Sequence, residues 1–318
     1  MRLRDVFVAV KVPATSANLG PGFDSMGLAL DMWDEVSVHA TTGATSVVVE
    51  GEGAGNVEQG EDNLVVRALR LALDRVGAPQ VGVRMHCTNR IPHSRGLGSS
   101  ASAIVAGVTL ARALIGDADV LGRAEILEIG SQMEGHPDNV APAVFGGVTV
   151  SWMNEDTSEV GSVRLTPPDG IHPVAFIPDF ELRTAAARAA LPATVPHGDA
   201  SFNVARGALL AAVLSGNAQA SGERTCTRCS WRPRAIACTR SSVGPRWNHP
   251  SPSSIGCAAQ ALPPSSPARA PRSSPWSPSA PISAGMPLPP GGGSSRWEWP
   301  PRACRSLEEA SLRWNSER

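Results

Sequence analysis

Pro92-His93-Ser94-Arg95-Gly96-Leu97-Gly98-Ser99-Ser100-Ala101-Ser102 is a glycine-rich loop running straight into a small-residue segment, 99–114, of helical composition. Such a turn aims unpaired backbone N–H groups at one point, and the helix dipole adds positive potential there, so a phosphate is the natural ligand. Gly96 and Gly98 allow close approach. Ser99 and Ser100 place two hydroxyls at the helix start, within reach of a phosphate or a magnesium ion. A Walker lysine is missing, because Lys11 is the only lysine in the chain. An isolated Gly-x-Gly is as easily an ordinary turn before a helix; the serines favour a phosphate site that is not a Walker P-loop.

Outward from this loop, the first 222 residues read as mixed α and β. Valines at 6, 8, 10 and 12 alternate as in a half-buried strand, and residues 35–39 and 46–49 have the branched character of paired strands. Residues 51–60 are turn-rich. Apolar residues then recur at three- and four-residue spacing over 62–73, behind an Asp or Asn cap, which predicts an amphipathic helix. A strand is predicted over 80–86, a helix over 123–134 ending at Gly135, strands over 146–152 and 174–177, and helices over 184–191 and 202–214.

Two further polar turns could carry chemistry. Glu134-Gly135-His136-Pro137-Asp138-Asn139-Val140-Ala141-Pro142 presents two carboxylates, an imidazole and a carboxamide at a helix end. A carboxylate opposite a phosphate loop is where magnesium would be held, while Asn and His suit a small ligand. Alone, the segment is equally a polar helix cap. Pro13-Ala14-Thr15-Ser16-Ala17-Asn18-Leu19-Gly20-Pro21-Gly22-Phe23-Asp24 reads as a polar loop after the first strand.

Together these segments resemble the GHMP kinases, in their homoserine kinase form: PATSANLGPGFDSMGLAL is similar to the opening motif, PHSRGLGSSASA to the phosphate-binding motif and EGHPDNVAPAVFGG to a later one. A fourth stretch, LRTAAARAALP from Leu182, resembles the place where the family keeps a threonine and an arginine one helical turn apart. The resemblance covers roughly residues 5–215. It implies an α+β, two-domain GHMP-kinase fold, with an N-terminal ATP-binding domain over 1–160 and the beginning of the C-terminal domain over 161–222. It also implies transfer of the ATP γ-phosphoryl group to the hydroxyl of L-homoserine, on the route to threonine.

By the same resemblance, Pro92, His93, Ser94, Arg95, Gly96, Leu97, Gly98, Ser99, Ser100, Ala101 and Ser102 cradle ATP, with Asn63 near the adenine. Ser99 or Ser100 holds Mg2+ with Glu134, for which Glu128 is the weaker rival. Asn18, Asp24, His136, Asn139 and Arg188 line the homoserine pocket, Asp24 suited by charge to the ammonium and Arg188 to the carboxylate through a bidentate fork. Asn139, Thr184 and Arg188 serve the reacting centre. No general base is assigned, Asp138 included, because a loose transition state needs little activation of the nucleophile. The partners implied are L-homoserine and, as a homodimer, a second copy of the chain.

Composition divides the chain where the resemblance stops. From Glu223 to Arg318 lie 16 of 28 prolines, five of six cysteines, six of eight tryptophans and no Asp. That stretch carries 13 Arg against five Glu, a charge of +8, which leaves 15 basic and 24 acidic residues, or -9, in the first 222. It cannot bury enough apolar area to order itself, so disorder is expected. Neither zinc binding through its cysteines nor nucleic-acid binding through its arginines is expected, since the pair Cys226 and Cys229 has no second pair to match it in Cys257 and Cys304, and a folded platform with interleaved aromatics is missing. No run is long enough for a membrane helix or a signal-peptide core, and Cys87 is the single cysteine before residue 223, so a reducing, cytoplasmic setting is expected.

The family's third, glycine-rich motif is absent from this tail, and a change of reading frame accounts for it. Residues 263–277 admit a coding that, two bases later, reads AVVSGAGPTVLALV; at the same offset residues 229–247 can read LLAATGDRLHQEFRRPAM. The first resembles the third motif and the second a segment with a further carboxylate-binding arginine. Two motifs in order at one offset point to a frameshift near residues 217–225. Little kinase activity is expected of the chain as written.

Overall fold

The computed structural model describes residues 3–117, 119–154, 156–181, 188–189 and 191–216, and the backbone of 294–296. Its centre is the antiparallel pair β1 (Phe7–Ala17) and β2 (Met26–Thr41). Val8, Val10 and Val12 alternate inward as their spacing predicts, but the strand continues through Pro13–Ala17, read from sequence as loop. The reason is a bulge: Pro13 pairs with Trp33 and Ala14 with Leu30, so β2 absorbs the irregularity and the ladder resumes. Thr15 and Ser16 are thereby buried in a paired strand.

Added to this pair are β3 (Ser46–Gly51), β4 (Gly82–Asn89), β5 (Val148–Met153) and β6 (Val160–Leu165), giving a six-stranded sheet ordered β3-β4-β2-β5-β6 with β1 on β2. The strands predicted over 35–39 and 46–49 exist but do not pair with each other, because β4 lies between them. β3 and β4 are parallel, and the crossover that parallel pairing requires is α1 (Leu64–Arg75). Since β6 is hydrogen-bonded to β5, the division expected at residue 160 falls at the start of a strand of this sheet, which runs on to Leu165.

α1 starts at Asn63, whose side chain accepts the Val65 N–H, and it buries Val65, Val66, Leu69, Ala72 and Leu73. α2 (Ser99–Ile115) packs on α1, on β1 and on α3 (Arg123–Glu134), which ends at left-handed Gly135. α4 (Val140–Phe145), unpredicted from sequence, follows the turn at Asn139. Beyond β6 come β7 (Val174–Phe176) and α5 (His197–Leu214), and β7 pairs antiparallel with β8 (Ser294–Arg296). Of the helix predicted over 184–191, residues 188, 189 and 191 are described, the first two helical and Leu191 a bend, and the rest of the Pro/Ser/Arg-rich tail lies outside the described residues.

Two apolar clusters hold these elements. The larger lies between the sheet and α1 to α4; the smaller joins Ala14, Leu19, Leu28, Ile91 and Leu97 to Leu210 and Leu214 of α5. Leu19 and Leu97 belong to the polar turn after β1 and to the glycine-rich loop, so one apolar cluster anchors both. Among the described residues no helix is long and apolar enough to cross a membrane.

Candidate active site

The glycine-rich loop is held at both ends. Where it leaves β4, the buried carboxylate of Asp34 accepts the N–H groups of Arg90 and Ile91 at 2.7 and 2.9 Å. Burial raises the pKa of Asp34, against the opposing pull of these two bonds. At the other end, Ser94, Gly96 and Gly98 have φ of 55, 74 and 67°, and Gly98 caps α2. A Cβ on Gly98 would collide with the Thr15 hydroxyl and stand 3.0 Å from Asn139 Oδ1. Glycine is therefore required twice, by conformation and by approach.

That contact joins the three motifs. Thr15 donates its hydroxyl to Asn139 Oδ1 at 2.8 Å, and its N–H to Leu97 O at 3.0 Å. With Oδ1 facing Thr15, the Asn139 amide turns its NH2 donors elsewhere. The first N–H groups of α2 have no intrahelical acceptors, and beside them the Ser100 hydroxyl donates to Glu134 Oε2 at 2.7 Å. The rival carboxylate Glu128 pairs instead with Arg75 at 2.5 Å. Arg95 reaches the Pro178 carbonyl, tying the loop to the segment after β7. Ser102 faces the core: its hydroxyl is buried with no hydrogen-bond partner among the described residues, and its N–H bonds Gly98 O.

The acceptor side is built from the turn after β1 and the turn before α4. Asn18 and Asp24 are both left-handed, at φ of 58 and 53°, and Asn18 Oδ1 accepts the Asp24 N–H at 2.8 Å. His136 and Asp138 are buried and share a 2.5 Å contact from Nδ1 to Oδ1. Burial alone would lower the His136 pKa, but the hydrogen bond and charge of Asp138, with Glu134, outweigh it and hold the imidazole above its ordinary value. Gly27 of β2 lies against the Asp138 carbonyl too closely for any Cβ, which presses the turn onto the sheet. Asp24, His136 and Asp138 bring ligand-type atoms within 4.8 Å of one another, an arrangement able to receive a cationic group.

Arg188 joins this group by forking onto Asp24 at 3.1 and 2.5 Å. Thr184 lies outside the described residues. Asn63 has both polar atoms of its amide engaged in the fold, Oδ1 on Val65 N–H and Nδ2 on Glu58 O, which leaves one Nδ2 hydrogen and one Oδ1 lone pair to serve a nucleotide. Sequence reasoning missed Thr15 and Asp34. Thr15 stood in a supposed loop, and only strand pairing turns it toward Asn139; Asp34 is one of three carboxylates in β2, with Asp31 and Glu35, and nothing in the sequence marks it as the buried one.

The family described as GHMP kinases N terminal domain matches residues 63–147, from the start of α1 to β5. The homoserine kinase of Streptomyces coelicolor is 46% identical over 213 residues, 67% of this chain and 68% of its own length. That of Leifsonia xyli subsp. xyli is 50% identical over 210 residues, 65% of this chain and 64% of its own length, so the match spans about two thirds of these relatives. Among solved structures, the homoserine kinase of Cytophaga hutchinsonii superimposes with a TM-score of 0.59 at 28% identity, covering 68% of this chain and 70% of that one. The chain belongs to the homoserine kinase family of the GHMP kinases, a family of ATP-using phosphotransferases.

Proposed function

We propose that the described part of this chain is built to transfer the γ-phosphoryl group of ATP to the side-chain hydroxyl of L-homoserine. The observation that carries the proposal is the junction at Gly98, where the glycine-rich loop, Thr15 and Asn139 touch, so that a phosphate at the head of α2 and an acceptor beside Asn139 would be neighbours. The free N–H groups at the start of α2 would bind phosphate oxygens. Ser100 and Glu134, two hard oxygen donors already side by side beside the loop, fit a magnesium ion, whose charge would offset that of the phosphates. Asp24 would take the acceptor's ammonium and Arg188 its carboxylate, with Asn18 fixing the Asp24 turn and His136 lining the pocket. Asn139 would present its NH2 donors to the reacting oxygens, and catalysis would rest on positioning and charge stabilisation.

Asp138 is held by His136 and is not proposed as a base. Thr184 is proposed beside Arg188; a homodimer is proposed on the resemblance alone, and a cytoplasmic setting on the single cysteine before residue 223. The domain limits proposed are a nucleotide-binding unit closing with the sheet, the start of a second unit up to 222, and an out-of-frame tail over 223–318.

A second reading, a kinase impaired in turnover, is favoured by the tail. The 213 matched residues are 67% of this chain and 68% of the Streptomyces relative, so the two chains have nearly equal lengths and each has an unmatched third. A frameshift near residues 217–225 would leave such an unmatched third in this chain. Resequencing the gene there, and assaying ADP release with L-homoserine for the chain as written and with its frame restored, tests both readings. The restored chain is expected to turn over L-homoserine at least ~100-fold faster, the scale of losing one charge-stabilising element at a reacting centre. Equal rates would sink the second reading, and a restored chain that prefers another alcohol would sink the first.

A further inference from the structure

Asp24 and Arg188, proposed above to meet opposite charges of the acceptor, are bonded to each other. The guanidinium forks onto both carboxylate oxygens, at 3.1 and 2.5 Å, and its central carbon lies 5.7 Å from the centroid of the Phe23 ring. His136 and Asp138 crowd the same carboxylate, and Asp138 Oδ2 is buried with no hydrogen-bond partner among the described residues. Any ammonium group that enters to reach Asp24 therefore meets a cation already in place.

We propose that Arg188 determines specificity by occupation: its guanidinium competes for Asp24 with incoming amines, and an amino alcohol is admitted only if it also carries a carboxylate to receive the displaced guanidinium. This deepens the homoserine reading and rests on it. A zwitterion exchanges one ion pair for two, since its ammonium takes Asp24 and its carboxylate takes the fork. A monocation restores only the pair it broke and strands the guanidinium over Phe23. The exposure of the pair, 34% for Asp24 and 39% for Arg188, sets the strength of the competition. Water screens such a pair, so the barrier is about fivefold in affinity, enough to discriminate and weak enough for a zwitterion to overcome.

Calorimetric titration of the full chain with 3-amino-1-propanol, which keeps the ammonium and hydroxyl of homoserine but lacks its carboxylate, tests the proposal without requiring turnover. Arg188→Gln is expected to bind this amine about fivefold more tightly than the unsubstituted chain. Adding Asp24→Asn should remove the gain, and L-homoserine should bind Arg188→Gln at least ~10-fold more weakly. If Arg188→Gln does not fold by circular dichroism, Arg188→Lys, whose ammonium cannot fork, should show a smaller gain of the same sign. Amine affinity that is unchanged, weaker or undetectable in the substituted chain would overturn the proposal. Failure of the frame-restored chain to bind L-homoserine would overturn the substrate reading instead, while the amine titration still decides the competition.

Discussion

α2 and α5 are written in nearly the same alphabet of Ala, Leu, Val and Gly and are 17 and 18 residues long, yet α2 buries twelve residues and α5 only Leu210 and Leu214. Helix propensity cannot separate them. What differs is the neighbourhood: α2 lies among β1, α1 and α3, all within the first 134 residues, whereas α5 leaves Val204 at 74% exposure and Phe202, Leu209 and Ala205 partly or fully uncovered. A helical pattern is a local property of sequence, but its burial depends on partners supplied elsewhere. For α5 the frame-restored third of the chain is the proposed source of those partners.

The largest expected effect comes from making the same substitution in both helices. Leu110→Ala in α2, at a fully buried position, is expected to cost ~2–5 kcal/mol in unfolding free energy by urea titration. Leu209→Ala in α5, where the side chain is 38% exposed, should cost less than ~1 kcal/mol. Restoring the frame should raise the second value toward the first. Equal losses in the chain as written would show that α5 is already covered in solution, and the contrast would collapse.

A smaller effect probes the better-packed region at its functional seam. Thr15→Val keeps the shape of the side chain but leaves Asn139 Oδ1 without its donor, an expected loss of ~1–3 kcal/mol, whereas Thr15→Ser should lose much less. Binding of a fluorescent ATP analogue should weaken in the valine variant with the same ordering, because the Gly98 turn rests on that hydroxyl. Valine and serine variants of equal stability would show that the bond contributes nothing.

Much of the fold could be read before the structure. α3 begins at Arg123 and ends at Glu134 as its pattern predicts, and α2 differs from expectation by one residue, since periodicity and a closing glycine are both local signals. Failures occurred where distant pairing overrides local composition. Pro13–Ala17 looks like a loop yet is a strand, because Leu30, Ala29, Leu28 and Gly27 complete its ladder. β3 pairs with β4 rather than β2, a choice no strand pattern encodes. The three motifs announced the candidate site, but the bonds linking them, Thr15 to Asn139 and Arg188 to Asp24, span 124 and 164 residues and have no sequence signature.

The smallest effect tests the electrostatics of the turn at His136, a feature of the well-packed region without a counterpart in the described part of α5. Its pKa is raised above 6.5 despite burial, because Asp138 and Glu134 favour the imidazolium. The stabilisation from this group is therefore complete below pH 6.5, the unfolded value, and is lost as pH rises through the higher folded value. Urea titrations across that interval should show a gentle decline in stability, which His136→Gln abolishes. Asp138→Asn supplies the stricter test, since removing the carboxylate leaves burial as the leading influence and drops the folded pKa. The sign then inverts: through the interval around pH 6.5 the Asp138→Asn protein should gain stability as pH rises. A decline that persists unchanged in Asp138→Asn would mean that some other group carries it, and that the 2.5 Å contact between His136 and Asp138 is not what holds the proton.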